Sequence, residues 1–150
     1  MLTLDSLLNK LQAMNDAADS LTRALYRLGG PDMGEVGQLR SRLANLSREH
    51  LADEHQLLSK LTGEVRARVP AYHDIVQSTQ DLRFAYSAHV QRWSNKAIEA
   101  DRPGYVAAAG KLIGQLKQHA ALVEVKLYRP AFAALSTAHP SPAPGLSTAA

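Results

Sequence analysis

His50 and Glu54 stand four residues apart in a run that is otherwise apolar on one face: Val36, Leu39, Leu43, Leu46, His50, Glu54, Leu57, Leu61, Val65. At roughly 100° per residue, an i,i+4 pair lies within about 40° on a helix, so both side chains point the way the leucines do. An ionised carboxylate turned into an apolar interior needs a cation, a metal ion or a proton shared with the histidine. Two more histidines occupy apolar stripes. His89 belongs to Tyr72, Ile75 or Val76, Leu82, Tyr86, His89, Trp93, Ala97, and His119 to Tyr105, Ala109, Leu112, Leu116, His119, Val123, Leu127. Imidazoles and a carboxylate from separate helices are the donors that suit Fe(II), Zn or Mn. Counting from the predicted turns puts His50, Glu54, His89 and His119 near one layer, with a stagger of about 7 Å at 1.5 Å per residue. Glu124 follows His119 by five residues, rotated by roughly 140°, and reaches the same layer only from the stripe's edge. The simpler alternative is a His50–Glu54 pair satisfied by its own hydrogen bond.

These positions require helices to carry them. A first stripe, Leu4, Leu7, Leu8, Leu11, Met14, Ala18, Leu21, Leu25, Leu28, ends at Gly29-Gly30-Pro31. Asp32 and Glu35 predict a capping box for the second helix, which should stop near Arg68 because Pro70 disfavours helix just before it. The third stripe runs to Ala97, Asp101 predicts an N-cap with Pro103 in the next first turn, and Pro130 should kink or end the fourth helix. Four helices of roughly 26–33 residues with short connections predict an all-α fold, an up-down-up-down antiparallel four-helix bundle over residues 1–136. A tail over 137–150, with Pro140, Pro142 and Pro144 among Ser, Ala and Gly, reads as disordered. Tyr72, Phe84, Tyr86 and Trp93 are expected in the core. His55 is expected to face solvent or a neighbouring helix, His73 to lie far from the layer, and His139 to sit in the tail.

Composition narrows the chemistry. The 150 residues are 45% hydrophobic and 21% charged, which suits one globular domain. With no cysteine, disulfides, thiolate metal sites and Fe–S clusters are excluded. A net charge of +3, with no dense basic tract and few aromatics, gives no footprint for nucleic acid. No run of 18 apolar residues predicts a membrane span. Met1-Leu2-Thr3-Leu4-Asp5 carries neither the basic nor the apolar part of a signal peptide, so the expected location is cytoplasmic. No Glu is followed three residues later by His, as ferritin-like di-iron bundles require. The zincin His-Glu-x-x-His, the Gly-x-Ser-x-Gly elbow and a phosphate loop are also absent.

The pair His50-Leu51-Ala52-Asp53-Glu54, the His119 to Glu124 pair, Leu127-Tyr128-Arg129-Pro130 and the run Leu39-Arg40-Ser41-Arg42-Leu43-Ala44 together resemble the hemerythrin-like (HHE cation-binding) family, over about residues 4–135. The resemblance implies an up-down bundle and a non-haem iron centre. It makes His50 and Glu54 ligands from the second helix, and His119 and Glu124 ligands from the fourth. Where that family has a first-helix histidine, this chain has Asn15 or Met14. Where it has a His-x3-His pair on the third helix, His89 stands alone between Ala85 and Trp93. The expected cofactor is therefore iron, dinuclear or mononuclear, with metal ligands drawn from His50, Glu54, His89, His119 and Glu124. The expected role is binding or sensing of O2 or another small diatomic ligand, not enzymatic turnover. Two alternatives stay open: a metal-free helical module that regulates through protein contacts, and histidine phosphotransfer through His89. Ala88-His89-Val90-Gln91-Arg92-Trp93-Ser94 resembles a phosphotransfer motif, but Trp93 crowds the place where a partner needs room.

Overall fold

The computed structural model describes residues 2–138. It is all-helical, with no strand among the described residues. The elements are α1 (Leu4–Leu25), α2 (Met33–Ser59), α3 (Gly63–Ala67), α4 (Tyr72–Arg92), α5 (Asn95–Ala100), α6 (Arg102–Val123) and α7 (Arg129–Ala138), with a π-helical turn over Glu124–Tyr128 joining the last two. None of these helices is long and apolar enough to cross a membrane.

Local sequence explains the ends. Thr3 and Ser6 cap α1 reciprocally through each other's backbone N–H. Gly29 and Gly30, at φ of 89° and 100°, take the left-handed conformations that turn the chain toward α2. Asp32 caps α2 by accepting from the N–H groups of Gly34 and Glu35. The predicted reciprocal bond from Glu35 does not form, because Glu35 instead meets Arg27 at 2.7 Å. Asp101 caps α6 through the Gly104 N–H at 3.0 Å, with Pro103 in the first turn as its fixed φ favours.

α1 packs against α2 and α6, and α4 packs against α6. Leu7, Leu11, Met14, Ala18, Leu21 and Leu25 of α1 are buried at this centre with Val36, Leu43 and Leu57 of α2, and Ala109, Ile113, Leu116 and Val123 of α6. No packing of comparable extent joins the backbones of α2 and α4. That seam is bridged by side chains and carries two of the molecule's clefts.

Several expected boundaries move. α2 ends at Ser59, not near Arg68, and a separate helical turn, α3, occupies Gly63–Ala67 and packs against α7. α4 stops at Arg92 because Ser94 caps a new short helix, accepting from the Ala97 N–H at 3.1 Å. The stripe through Ala97 thus belongs to two helices. Pro130 does not end the last helix. The backbone absorbs the missing N–H and the ring's clash with the preceding turn in the π turn, and α7 then continues to Ala138. Residues 137 and 138, placed in the tail by composition, are helical, and the rest of the Pro-rich segment lies outside the described residues. Trp93 is buried and Tyr72 is partly buried. Phe84 is 75% and Tyr86 43% exposed, so neither is a core residue; Tyr86 lines a cleft between α2, α4 and α6.

Candidate metal centre

Val36, Leu43, His50, Glu54 and Leu57 are the buried residues of α2, and their spacing of seven, seven, four and three is one continuous helical stripe. On α6 the corresponding stripe is Tyr105, Ala109, Ile113, Leu116, His119, Ala120 and Val123. The two stripes meet at their polar members. His50, Glu54 and His119 are 1%, 0% and 3% exposed and are the only histidine or acidic residues among the buried ones described. One donor atom from each lies within 4.8 Å of the other two.

Both imidazoles turn their Nε2 atoms on the same carboxylate oxygen. His119 Nε2 is 2.9 Å from Glu54 Oε2, and His50 Nε2 is 3.3 Å from it. The two rings stand nearly perpendicular, 5.9 Å between centroids. Each Nδ1 is held from behind by a hydroxyl: Ser78 Oγ at 2.8 Å from His119, and Tyr128 Oη at 3.1 Å from His50. The Thr79 hydroxyl reaches the second Glu54 oxygen, Oε1, and also the Ile75 carbonyl, donating to one at a time. His119, protonated at Nε2, donates to Glu54 and accepts from Ser78. The His50 Nε2 atom makes no hydrogen bond, because its approach to Glu54 is badly angled, and it is buried.

An unpartnered ring nitrogen in a dry interior has lost its hydration without replacement, a cost of about 1–3 kcal/mol. A metal ion removes that cost. Two donors about 2.1 Å from a tetrahedral ion stand about 3.4 Å apart, close to the two nitrogen–oxygen separations found here. Hydroxyl groups behind each Nδ1 are the outer partners that orient metal-binding histidines and fix their tautomer. The donors and their supports therefore fit a single divalent ion with three protein ligands.

The electrostatics agree. Burial pushes the Glu54 carboxyl up, but the hydrogen bond from His119, the His50 ring nitrogen close to the same oxygen, the attraction of the His119 ring and the Thr79 hydroxyl outweigh it and hold its pKa down to about 2. The site thus contains a carboxylate. Burial, reinforced by the charges of Glu54 and Asp53, raises the Tyr128 phenol far above its usual range, so Tyr128 keeps its proton.

Two clefts reach these side chains. One, about 320 Å³, is lined by Leu51, Glu54, His55, Leu58, Thr79 and Arg83 between α2 and α4. The other, about 390 Å³, has polar walls that include Asp74, Ser78, Asp81, Gln115 and Gln118, with His119 among them.

Of the five residues read as ligands, the structure brings together His50, Glu54 and His119, and it leaves His89 and Glu124 apart. His89 lies eleven residues beyond Ser78 on the same helix, about 16 Å along its axis. It is half-buried against the Tyr105 ring, 5.8 Å between centroids. The level count failed because α2 turns back at Ser59: with the turn that early, Glu54 meets Thr79 on α4. Glu124 opens the π turn with its side chain 42% exposed, and its nearest charged partner is Arg129 at 3.9 Å. On α1, Met14 is fully buried and Asn15 partly so. His55 is exposed, one of the two expectations for it, and His73 is exposed as well.

Ser78, Thr79 and Tyr128 are the site residues that sequence reasoning missed. Thr79 lies between the buried Ile75 and Leu82 at spacings of four and three, which is a detectable signal. Tyr128 stands nine residues from His119, and in an unbroken α-helix nine steps of about 100° would leave it on the opposite side. The π turn adds one residue and brings it back to roughly 80° from His119. Compared with protein-family models, with curated proteins and with solved structures, the chain matches none.

Proposed function

We propose that this chain is a mononuclear, hemerythrin-like iron protein whose four long helices form an up-down bundle around His50, Glu54 and His119, and that it binds or senses O2 or a related small ligand. The observation that carries the reading is the buried, unpartnered His50 Nε2 facing the same Glu54 oxygen as His119 Nε2. Two imidazoles and one carboxylate are the donor set of mononuclear non-haem Fe(II) sites. When bound and reduced, iron supplies open coordination positions that three protein donors do not fill.

The chain's own groups account for the rest. Both histidines must offer Nε2 as a lone pair, which moves their remaining proton to Nδ1. Tyr128 and Ser78 are placed to accept from Nδ1–H in that state, since a hydroxyl both donates and accepts. Glu54 contributes the negative charge, and Thr79 orients its other oxygen. A second ion lacks donors, because His89 and Glu124 lie elsewhere, so the reading is mononuclear. The apolar residues that surround the layer, Leu57, Leu116 and Val123 among them, restrict water.

Expression in iron-supplemented medium, followed by elemental analysis and a UV-visible spectrum, tests the proposal. About one iron per chain is expected. His50→Ala and Glu54→Ala should each lose most of it, while His55→Ala, on the exposed face of α2, should retain it. Equal metal content in all three variants, or a colourless metal-free wild type, would refute the reading.

A further inference from the structure

A third cleft, of about 270 Å³, lies between α2, α4 and α6, beyond the metal centre toward the Trp93 end of α4. Its walls are largely apolar, with Leu43, Leu82, Trp93, Ile113 and Leu116 among them. Its charged groups are of one sign. Arg40, Arg48 and Arg83 line it, and no Asp or Glu does. None of the three arginines forms an ion pair among the described residues.

The inner corner is made by Tyr105. Its ring packs against His89 and Trp93, with centroids 5.8 and 5.7 Å away, and the Arg40 guanidinium lies over it at 5.6 Å. Tyr105 is 1% exposed, yet its hydroxyl has no well-formed hydrogen bond, and the Arg40 guanidinium beside it can only donate, which leaves the phenol proton without an acceptor. A buried phenol normally finds one. An anion seated beside Arg40 would provide an acceptor for the Tyr105 hydroxyl and a counter-charge for the guanidinium together. At roughly 30 Å³ per water-sized group, the space holds about nine heavy atoms.

We propose that this cleft binds a small apolar monocarboxylate, its chain against Leu43, Leu82 and Ile113 and its carboxylate between Arg40 and Tyr105. His89 then forms part of the wall of an organic-anion site and has no metal-binding role. This inference stands on different residues from the iron reading and does not depend on it.

Trp93 is the only tryptophan in the chain and lines the cleft, so its emission reports occupancy directly. Titration of the full-length protein with octanoate should give a saturable, one-site change in Trp93 emission. Octanol and octylammonium supply the same chain without the negative charge and should bind about tenfold more weakly or worse. Arg40→Gln should weaken octanoate by about tenfold and leave octanol unchanged. Tyr105→Phe should weaken octanoate with the thermal melt retained. Octanol binding as tightly as octanoate overturns the proposal, as does a linear, non-saturating response. Because the octanoate-to-octanol ratio is read on the wild type, the proposal remains testable if a variant fails to fold.

Discussion

Glu54 decides the character of the centre at the scale of single residues. Burial alone would neutralise it, yet four hydrogen-bonding and charge contacts keep it ionised, with a pKa about 2 against an ordinary 4.5. The folded carboxyl binds a proton less readily than the unfolded one. Its contribution to stability is therefore complete above about pH 4.5 and is lost as pH falls through that value toward 2. Across this window one carboxyl changes the unfolding free energy by at most about 1.4 kcal/mol per pH unit. The metal-free wild type should lose stability between pH 5 and pH 2 more steeply than Glu54→Gln when both are unfolded in urea. Parallel profiles would mean that Glu54 is not held as described. His50 and Glu54 were legible in the sequence because polar residues at three-and-four spacing among leucines are rare unless something needs them there. His119 was legible for the same reason. Ser78 was not, since small hydroxyl residues on a helix ordinarily face water, and Thr79 was marked only by its spacing from Ile75 and Leu82.

The elements set the phase of every candidate ligand. α2 and α6 were readable from their stripes, but their partners' register was not, because it depends on where the chain turns. The early end of α2 at Ser59 moved the layer from His89 to Thr79, a shift that no periodicity on α4 could reveal. The π turn is the second such device. It holds one residue more than an α-helix needs, and it lets Leu127 and Tyr128, adjacent in sequence, both be buried. Removing the surplus residue should therefore preserve the phase, at a cost of about 3 kcal/mol where the Pro130 ring meets the regularised turn. Deletion of Lys126, which is exposed, should regularise the helix and keep Tyr128 and α7 in phase with α6. Insertion of an alanine after Lys126 should rotate Tyr128 and everything beyond it by a further 100° or so. Thermal melts should show the insertion losing more stability than the deletion. Equal losses would show that the π turn does not set the phase.

Across the whole molecule, the long helices divide the work. α1 and α6 build the apolar interior together with the inner face of α2, whereas α4 is joined to α2 only through side chains at a seam with clefts. The all-helical class was evident from four apolar stripes without alternation. The broken third and fourth helices were less so, because Ser94 and Pro130 act through backbone hydrogen bonds and not through hydrophobic pattern. One further consequence follows from the sequence positions of the two imidazoles. An ion gripped by residues 50 and 119 works as a removable cross-link around the chain between them, a hoop that encloses α3, α4 and α5 and leaves α1 outside. Loading the protein with Fe(II) should therefore slow backbone amide exchange more within residues 72–92 than within residues 4–25. Uniform slowing would indicate simple mass-action stabilisation. If the hoop closes as described, the metal supplies the fastening along the α2–α4 seam that backbone packing does not.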